Sequence, residues 1–339
     1  MYIKVLECSH EKTCTATNKH RICLSESTDI FIMEKFKLTS AWDGLDISIA
    51  VAKPQGKASA VLQLVHGMCG CKERFEPFME YMASNGIACI ASDLRGHGES
   101  IRTLDDLGYM YEGGYKALIS DIKQVSQWGM SQFQGLPFFL LGHSMGSLAA
   151  RVYIKGGDKG ISGLIVCGSP SWNPLSVVGK LICGTGCALG LGHSRPTFLQ
   201  NITSNRYNKK FAAEGPQSWT CSDPEQRRKF RENPRCNFNF TLNGTYNLLS
   251  MMGETYSSDS WNVSQPMMPI IFLAGADDPC IITEQKFHQA AYQMHRVGYQ
   301  NVSSVIYPNM RHEVLNEIGK QKVWEDILAF IREENFGNH

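Results

Sequence analysis

Pro137-Phe-Phe-Leu-Leu-Gly142-His-Ser144-Met-Gly146-Ser-Leu-Ala-Ala-Arg-Val-Tyr-Ile154 is the stretch that decides the fold of this 339-residue chain. A continuous apolar run, typical of a strand buried on both faces, stops at Gly142, and a helix-forming run begins after Gly146. A chain that passes from strand to helix in so few residues presses backbone against backbone, and glycine tolerates that approach because it carries no Cβ. The intervening G-x-S-x-G places Ser144 at a strand end with its hydroxyl pushed outward.

A neutral serine hydroxyl is a weak nucleophile, so this placement has chemical meaning only with a base in reach and a third group to fix the base's tautomer. Both types follow in the expected order. The apolar run Pro269 to Leu273 leads into Ala274-Gly-Ala-Asp277-Asp278-Pro279, and the run ending at Tyr307 leads into Pro308-Asn-Met-Arg311-His312-Glu313. Serine, aspartate and histidine each stand just beyond a strand, the edge of a parallel sheet where sites assemble. On position alone either Asp277 or Asp278 serves. Upstream, Leu64-Val-His66-Gly67-Met68 closes another strand with a sharp turn, so the Met68 and Met145 backbone N–H groups are the expected oxyanion donors.

Around these sites, short apolar runs alternate with amphipathic segments of helical length. Ala60–Val65, Ile87–Ala91 and Ile161–Cys167 read as strands, preceded by a hairpin that turns at Asp43-Gly44. Leu118, Ile122, Val125 and Trp128, then Val323, Ile327, Phe330 and Ile331, recur at three- and four-residue spacings as helix packing stripes. The pattern predicts an α/β core over 33–172 and 263–339. The alternation lapses between 173 and 262, too long for a structureless loop, so an inserted cap is expected there. Residues 1–32 show no period and read as a poorly ordered extension, with Met33 a plausible second start. Its Cys8, His10, Cys14, His20 and Cys23 lack the repeated spacing of a metal knuckle.

Composition narrows the function. Thirty-three Lys+Arg against 32 Asp+Glu give a net charge of +1, without the positive excess that drives nucleic-acid binding. No apolar run reaches the roughly 20 residues of a membrane span, and the first residues show no apolar h-region behind a basic start, so neither membrane spanning nor secretion is expected. Twelve cysteines, none in a CxxC pair and several inside apolar runs, fit a reducing cytoplasm. Five N-x-[S/T] sequons carry little weight without a secretory signal.

Taken together, His66-Gly67-Met68, Asp93-Leu-Arg-Gly-His97-Gly-Glu-Ser100, Gly142-His143-Ser144-Met145-Gly146, Gly275-Ala-Asp-Asp278-Pro279 and Arg311-His312-Glu313 resemble the α/β-hydrolase superfamily. The match is to its monoglyceride lipase, lysophospholipase and serine-aminopeptidase-like branch, over about Phe36 to Phe330. The resemblance implies a mostly parallel eight-stranded sheet flanked by helices, with a mainly helical cap. It makes Ser144 the nucleophile, His312 the base and, through G-x-x-D-P, Asp278 the acid, leaving Asp277 as a turn residue and His97 and His143 as structural. It implies neither metal nor organic cofactor. The expected substrate is a small-molecule ester of acyl-lipid type, with an aminopeptidase or amidase, or a noncatalytic receptor, as alternatives.

Two features of the 173–262 segment bear on partners. Leu175–Cys183 and Ala188–Leu191 are apolar, expected either to meet acyl chains and a membrane surface or to close over the cap's own core. Between Ser204 and Cys236, eight Lys/Arg outnumber four Asp/Glu, which suits an anionic head group or a solvated basic face. Cys280, two residues past Asp278, is the thiol expected to meet a reagent entering the site.

Overall fold

The computed structural model describes residues 33–197 and 206–336. The extension at 1–32, with its cysteines and histidines, lies outside the described residues. Eight strands form one sheet in the order β1-β2-β4-β3-β5-β6-β7-β8. They are β1 (Met33–Thr39), β2 (Asp46–Ala52), β3 (Ala60–Val65), β4 (Ile87–Ser92), β5 (Phe138–His143), β6 (Gly163–Cys167), β7 (Ile270–Gly275) and β8 (Val302–Tyr307). Only β2 runs against its neighbours, pairing antiparallel with β1 and β4. The hairpin pairs Thr39 with Asp46, and Gly44 takes the left-handed φ of 74° its turn requires.

The longer helices are α1 (Glu76–Ser84), α2 (Gly114–Gln132), α3 (Met145–Lys155), α4 (Leu175–Ala188), α5 (Pro224–Glu232), α6 (Leu242–Tyr256), α7 (Glu284–Arg296) and α8 (Lys320–Phe336). Crossovers through them join the parallel strands, so β3 to β7 are buried throughout except at His143, the half-buried last residue of β5. That burial on both faces is why these strands read as unbroken apolar runs rather than alternating ones. The fold is the α/β-hydrolase fold of the sequence reading.

Between β6 and β7 the chain inserts α4, α5 and α6 with the irregular segments around them. The insertion is not uniform. Met251 of α6 is fully buried in the main core, and Thr255 Oγ1 donates to the Leu148 carbonyl of α3 at 3.2 Å, so α6 packs as a core helix. In α4, by contrast, Leu175, Leu181 and Leu189 at its end are 63%, 72% and 72% exposed. Its glycines, Gly179, Gly184 and Gly186, face Leu249, Tyr246 and Leu242 of α6. Among the described residues no helix is long and apolar enough to cross a membrane.

Candidate active site

The turn between β5 and α3 fixes Ser144 with φ 55° and ψ −119°, and its N–H donates to the Cys167 carbonyl of β6 at 2.9 Å. Glycine is required around it for a measurable reason. A Cβ on Gly142 would lie 2.3 Å from the Gly146 carbonyl oxygen, and one on Gly146 would lie 2.2 Å from the Val65 carbonyl oxygen. Backbone atoms cannot move aside, so the strained serine is held from both flanks.

His312 stands on the loop after β8 and is 4% exposed. Its Nδ1–H donates to Asp278 Oδ2 at 2.9 Å, which leaves the Nε2 lone pair facing the Ser144 hydroxyl at 2.8 Å. Asp278 caps the short turn Pro279–Ile281, its Oδ1 accepting from the Cys280 N–H at 2.8 Å. The next-door carboxylate goes elsewhere: Asp277 accepts from Lys210 of the insertion. Position alone left the two open, and the geometry puts Asp278 against the imidazole.

Four histidines crowd this edge of the sheet, and their protonation separates them. Burial pushes His66 and His143 down to about 4 and His97 to about 3, so each stays neutral. His66 braces the loop after β3, its Nε2 accepting from the Leu94 N–H at 3.0 Å and its Nδ1 donating to the Gly67 carbonyl at 2.8 Å. His143 Nε2–H donates to the His312 carbonyl at 3.1 Å. In His312 burial also opposes the imidazolium, but the Asp278 carboxylate outweighs burial and raises it well above 6.5. Only this imidazole is tuned to gain and release a proton against Ser144.

A cavity of about 300 Å³ opens over Ser144. Its walls include Gly67 and Met68 of the loop after β3, Trp219 and Phe238 of the insertion, and Arg74. Met145, the expected second oxyanion donor, begins α3 directly after Ser144 and is buried, and Met68 lines the cavity. The Trp219 ring centroid lies 5.1 Å from that of His312. Arg74 donates to Glu313 and stacks over Phe230 at 4.9 Å.

Sequence reasoning missed three of these neighbours. Arg74 and Trp219 lie outside the quoted motifs. Arg311 was quoted only as part of a motif, yet its Nη1 donates to the Ser218 carbonyl at 2.6 Å and its Nη2 to Glu214 Oε1 at 2.6 Å. It fastens the insertion directly beside His312, and its adjacency to the histidine was the one available signal.

Two expectations change. Cys280 is 5% exposed beneath Phe211 and Trp219, and burial pushes its thiol up to about 11, so it is poorly placed and poorly ionised for a reagent. The thiol lining the cavity is Cys69, which donates to the Phe238 carbonyl at 3.0 Å. The basic surplus of the insertion is also partly spent on acids outside it, Arg235 pairing with Glu99 and Lys210 with Asp277, while Arg227 and Arg228 pair with the insertion's own Glu214, Glu225 and Glu232.

The carboxylates of Glu73, Asp93 and Glu99 converge as a metal site would. Lys72, fully buried, puts its ammonium at their centre, 2.8 Å from Glu73 and Asp93 and 3.0 Å from Glu99, and so occupies the position a cation would take.

The family model described as "Serine aminopeptidase, S33" matches residues 56–319. The chain belongs to that family. Within this hydrolase family, the monoacylglycerol lipase of Mycolicibacterium smegmatis is 22% identical over 289 residues, covering 85% of the chain and 93% of that protein. The human monoglyceride lipase is 29% identical over 108 residues, 32% of the chain and 34% of that enzyme. Among solved structures, a thermostable carboxyl esterase from Bacillus coagulans superposes with a TM-score of 0.81 at 24% identity, covering 89% of this chain and 99% of that one. At that identity the likeness establishes the fold, and the branch assignment rests on the family match and the lipase relatives.

Proposed function

We propose that this member of the S33 family is a serine hydrolase that cleaves carboxylic esters of lipid-like substrates, monoacylglycerol or lysophospholipid, through an acyl-Ser144 intermediate. One observation carries the reading: the unbroken hydrogen-bond chain from Ser144 through His312 to a buried Asp278, at the floor of a cavity. His312 takes the hydroxyl proton as Ser144 Oγ attacks the ester carbonyl, then gives it to the departing alcohol. Water attacks the acyl-enzyme by the same route in reverse. The Met68 and Met145 N–H groups hold the charge on the tetrahedral oxygen, each donor worth on the order of a hundredfold in rate.

The insertion serves as the cap. Phe230, Phe238 and Leu315 give the cavity an apolar wall for an acyl chain, while Gln217, whose Nε2 donates to Asn237 Oδ1, makes the wall polar where a head group would lie. The outward apolar face of α4 supports peripheral contact with a lipid surface. An aminopeptidase needs a free carboxylate for the substrate's ammonium, and Glu313 in the cavity wall is already held by Arg74.

The test is a fluorophosphonate probe located by mass spectrometry, followed by turnover of p-nitrophenyl esters of increasing chain length. The expected result is an adduct on Ser144 and steady turnover, with Ser144→Ala folded but at least about a thousandfold slower. A folded Ser144→Ala protein that retains wild-type turnover would refute the mechanism; single turnover with retained product would favour a receptor.

A further inference from the structure

The loop after β3 and the segment leading to α6 meet at two thiols. Cys71 is fully buried and Cys236 is 4% exposed, and their Sγ atoms lie 3.4 Å apart although 165 positions separate them in the chain. A disulfide requires about 2.05 Å between sulfurs, so closure asks for an approach of about 1.4 Å, within the range of small side-chain rotations and backbone shifts. Asn233 Nδ2 lies 3.7 Å from Cys71 Sγ, and the Cys69 thiol bonds the Phe238 carbonyl along the same seam. The seam is also the cavity wall: Met68, Cys69 and Gly70 lead up to Cys71, and Asn237, Phe238 and Asn239 follow Cys236.

We propose that Cys71 and Cys236 form a reversible modification site, a dithiol that hydrogen peroxide converts to a disulfide stapling the insertion to the loop of the expected oxyanion donor. One sulfur attacks a peroxide oxygen, breaking the O–O bond and becoming a sulfenic acid as water leaves. The second sulfur attacks the sulfenic sulfur, the S–S bond forms and a second water departs. Two thiols are oxidised and one peroxide is reduced to two waters. Contact with Cys236 and burial push the Cys71 thiol up, so the closed seam rests as a dithiol and the reactive thiolate forms when the seam opens. The bond would shorten the excursions of the insertion relative to the loop and leave the hydrogen-bond chain at Ser144 untouched.

The experiment exposes the full chain to hydrogen peroxide in two arms, natively folded and during refolding from denaturant, then alkylates free thiols and digests without reduction. The expected product is a peptide pair joined through Cys71 and Cys236 that separates on adding dithiothreitol. The oxidised protein should melt roughly 5 °C higher than the reduced one, and Cys71→Ser and Cys236→Ser should each abolish both the link and the shift. Recovery of both cysteines unlinked in both arms, or a link from Cys236 to Cys69 instead, overturns the proposal. The wild-type peptide map decides it even if a serine variant folds poorly.

Discussion

A single carbon added to Gly146 would sit 2.2 Å from the Val65 carbonyl, whereas Leu181 in α4 keeps 72% of its surface in water. Both residues belong to helices near the carboxyl edge of the sheet, and they obey different constraints. At the β5–α3 turn the identity of each residue is dictated by backbone atoms of neighbouring strands, and the triad bonds are fixed by loops that end strands. Along α4 the contacts within the chain explain the glycines and Cys183, which is fully buried, but among the described residues no contact explains the leucines. The core is specified from inside, and the face of α4 looks outward.

The largest effect should come where specification is tightest. Asp278→Asn keeps the shape but removes the acceptor that selects the His312 tautomer, so ester turnover should fall about ten thousandfold. Asp277→Asn, one residue away, removes only a contact to Lys210 and should stay within about threefold. Steady-state kinetics on a soluble ester measure both. Equal losses in the two variants would erase the distinction between the carboxylates.

The same pair sets a pH dependence. Neutral His312 is the base, and its ionisation is raised well above 6.5, so wild-type kcat/KM should climb with pH through a midpoint above that value. The stability contribution has the opposite sign. A histidine whose folded pKa exceeds its unfolded value stabilises fully below the unfolded value, and that contribution fades as pH rises through the folded pKa. Residual activity of Asp278→Asn should therefore have its acid limb at lower pH. An acid limb that does not move would show that Asp278 is not what raises His312.

Gly146→Ala comes next in size. With all three clashing atoms in backbone, relief requires the sheet edge or α3 to shift, at a cost of roughly 3 kcal/mol, the upper end of overpacking. Urea denaturation would report it, and a loss under about 0.5 kcal/mol would mean the turn is looser than its contacts imply.

Legibility in the sequence follows the same division. Ser144 and His312 stood out because each follows a strand end in a short local pattern, Asp278 was chosen over Asp277 only through the family's G-x-x-D-P, and the sheet was legible because strands buried on both faces leave unbroken apolar runs. Arg311, Trp219 and Arg74 were not, since their partners come from distant loops and no local period marks them. Cys280 misled because proximity in sequence to Asp278 says nothing of which side of Trp219 the thiol lies on. The basic stretch misled in part for a similar reason: charge counts do not show that Arg235 reaches Glu99 across the seam. The leucines of α4 were visible as apolar, but whether they faced in or out depended on packing against α6, which glycines decide.

The smallest effect on the fold, and the sharpest test of what the exposed leucines are for, is Leu181→Ser combined with Leu189→Ser. Both side chains are 72% exposed, so removing them should change unfolding free energy by no more than about 0.5 kcal/mol. Turnover of a short water-soluble ester should hold within about twofold, because neither residue lines the cavity. Binding to phosphatidylcholine vesicles should drop much further. Each leucine inserted into the acyl boundary is worth roughly 1.5 kcal/mol or more, so losing two should weaken partitioning about a hundredfold. Co-sedimentation with vesicles measures that loss directly. If partitioning is unchanged while stability falls by several kcal/mol, α4 would be an internal element like α6, and the contrast between an inward-specified core and an outward-facing helix would fail.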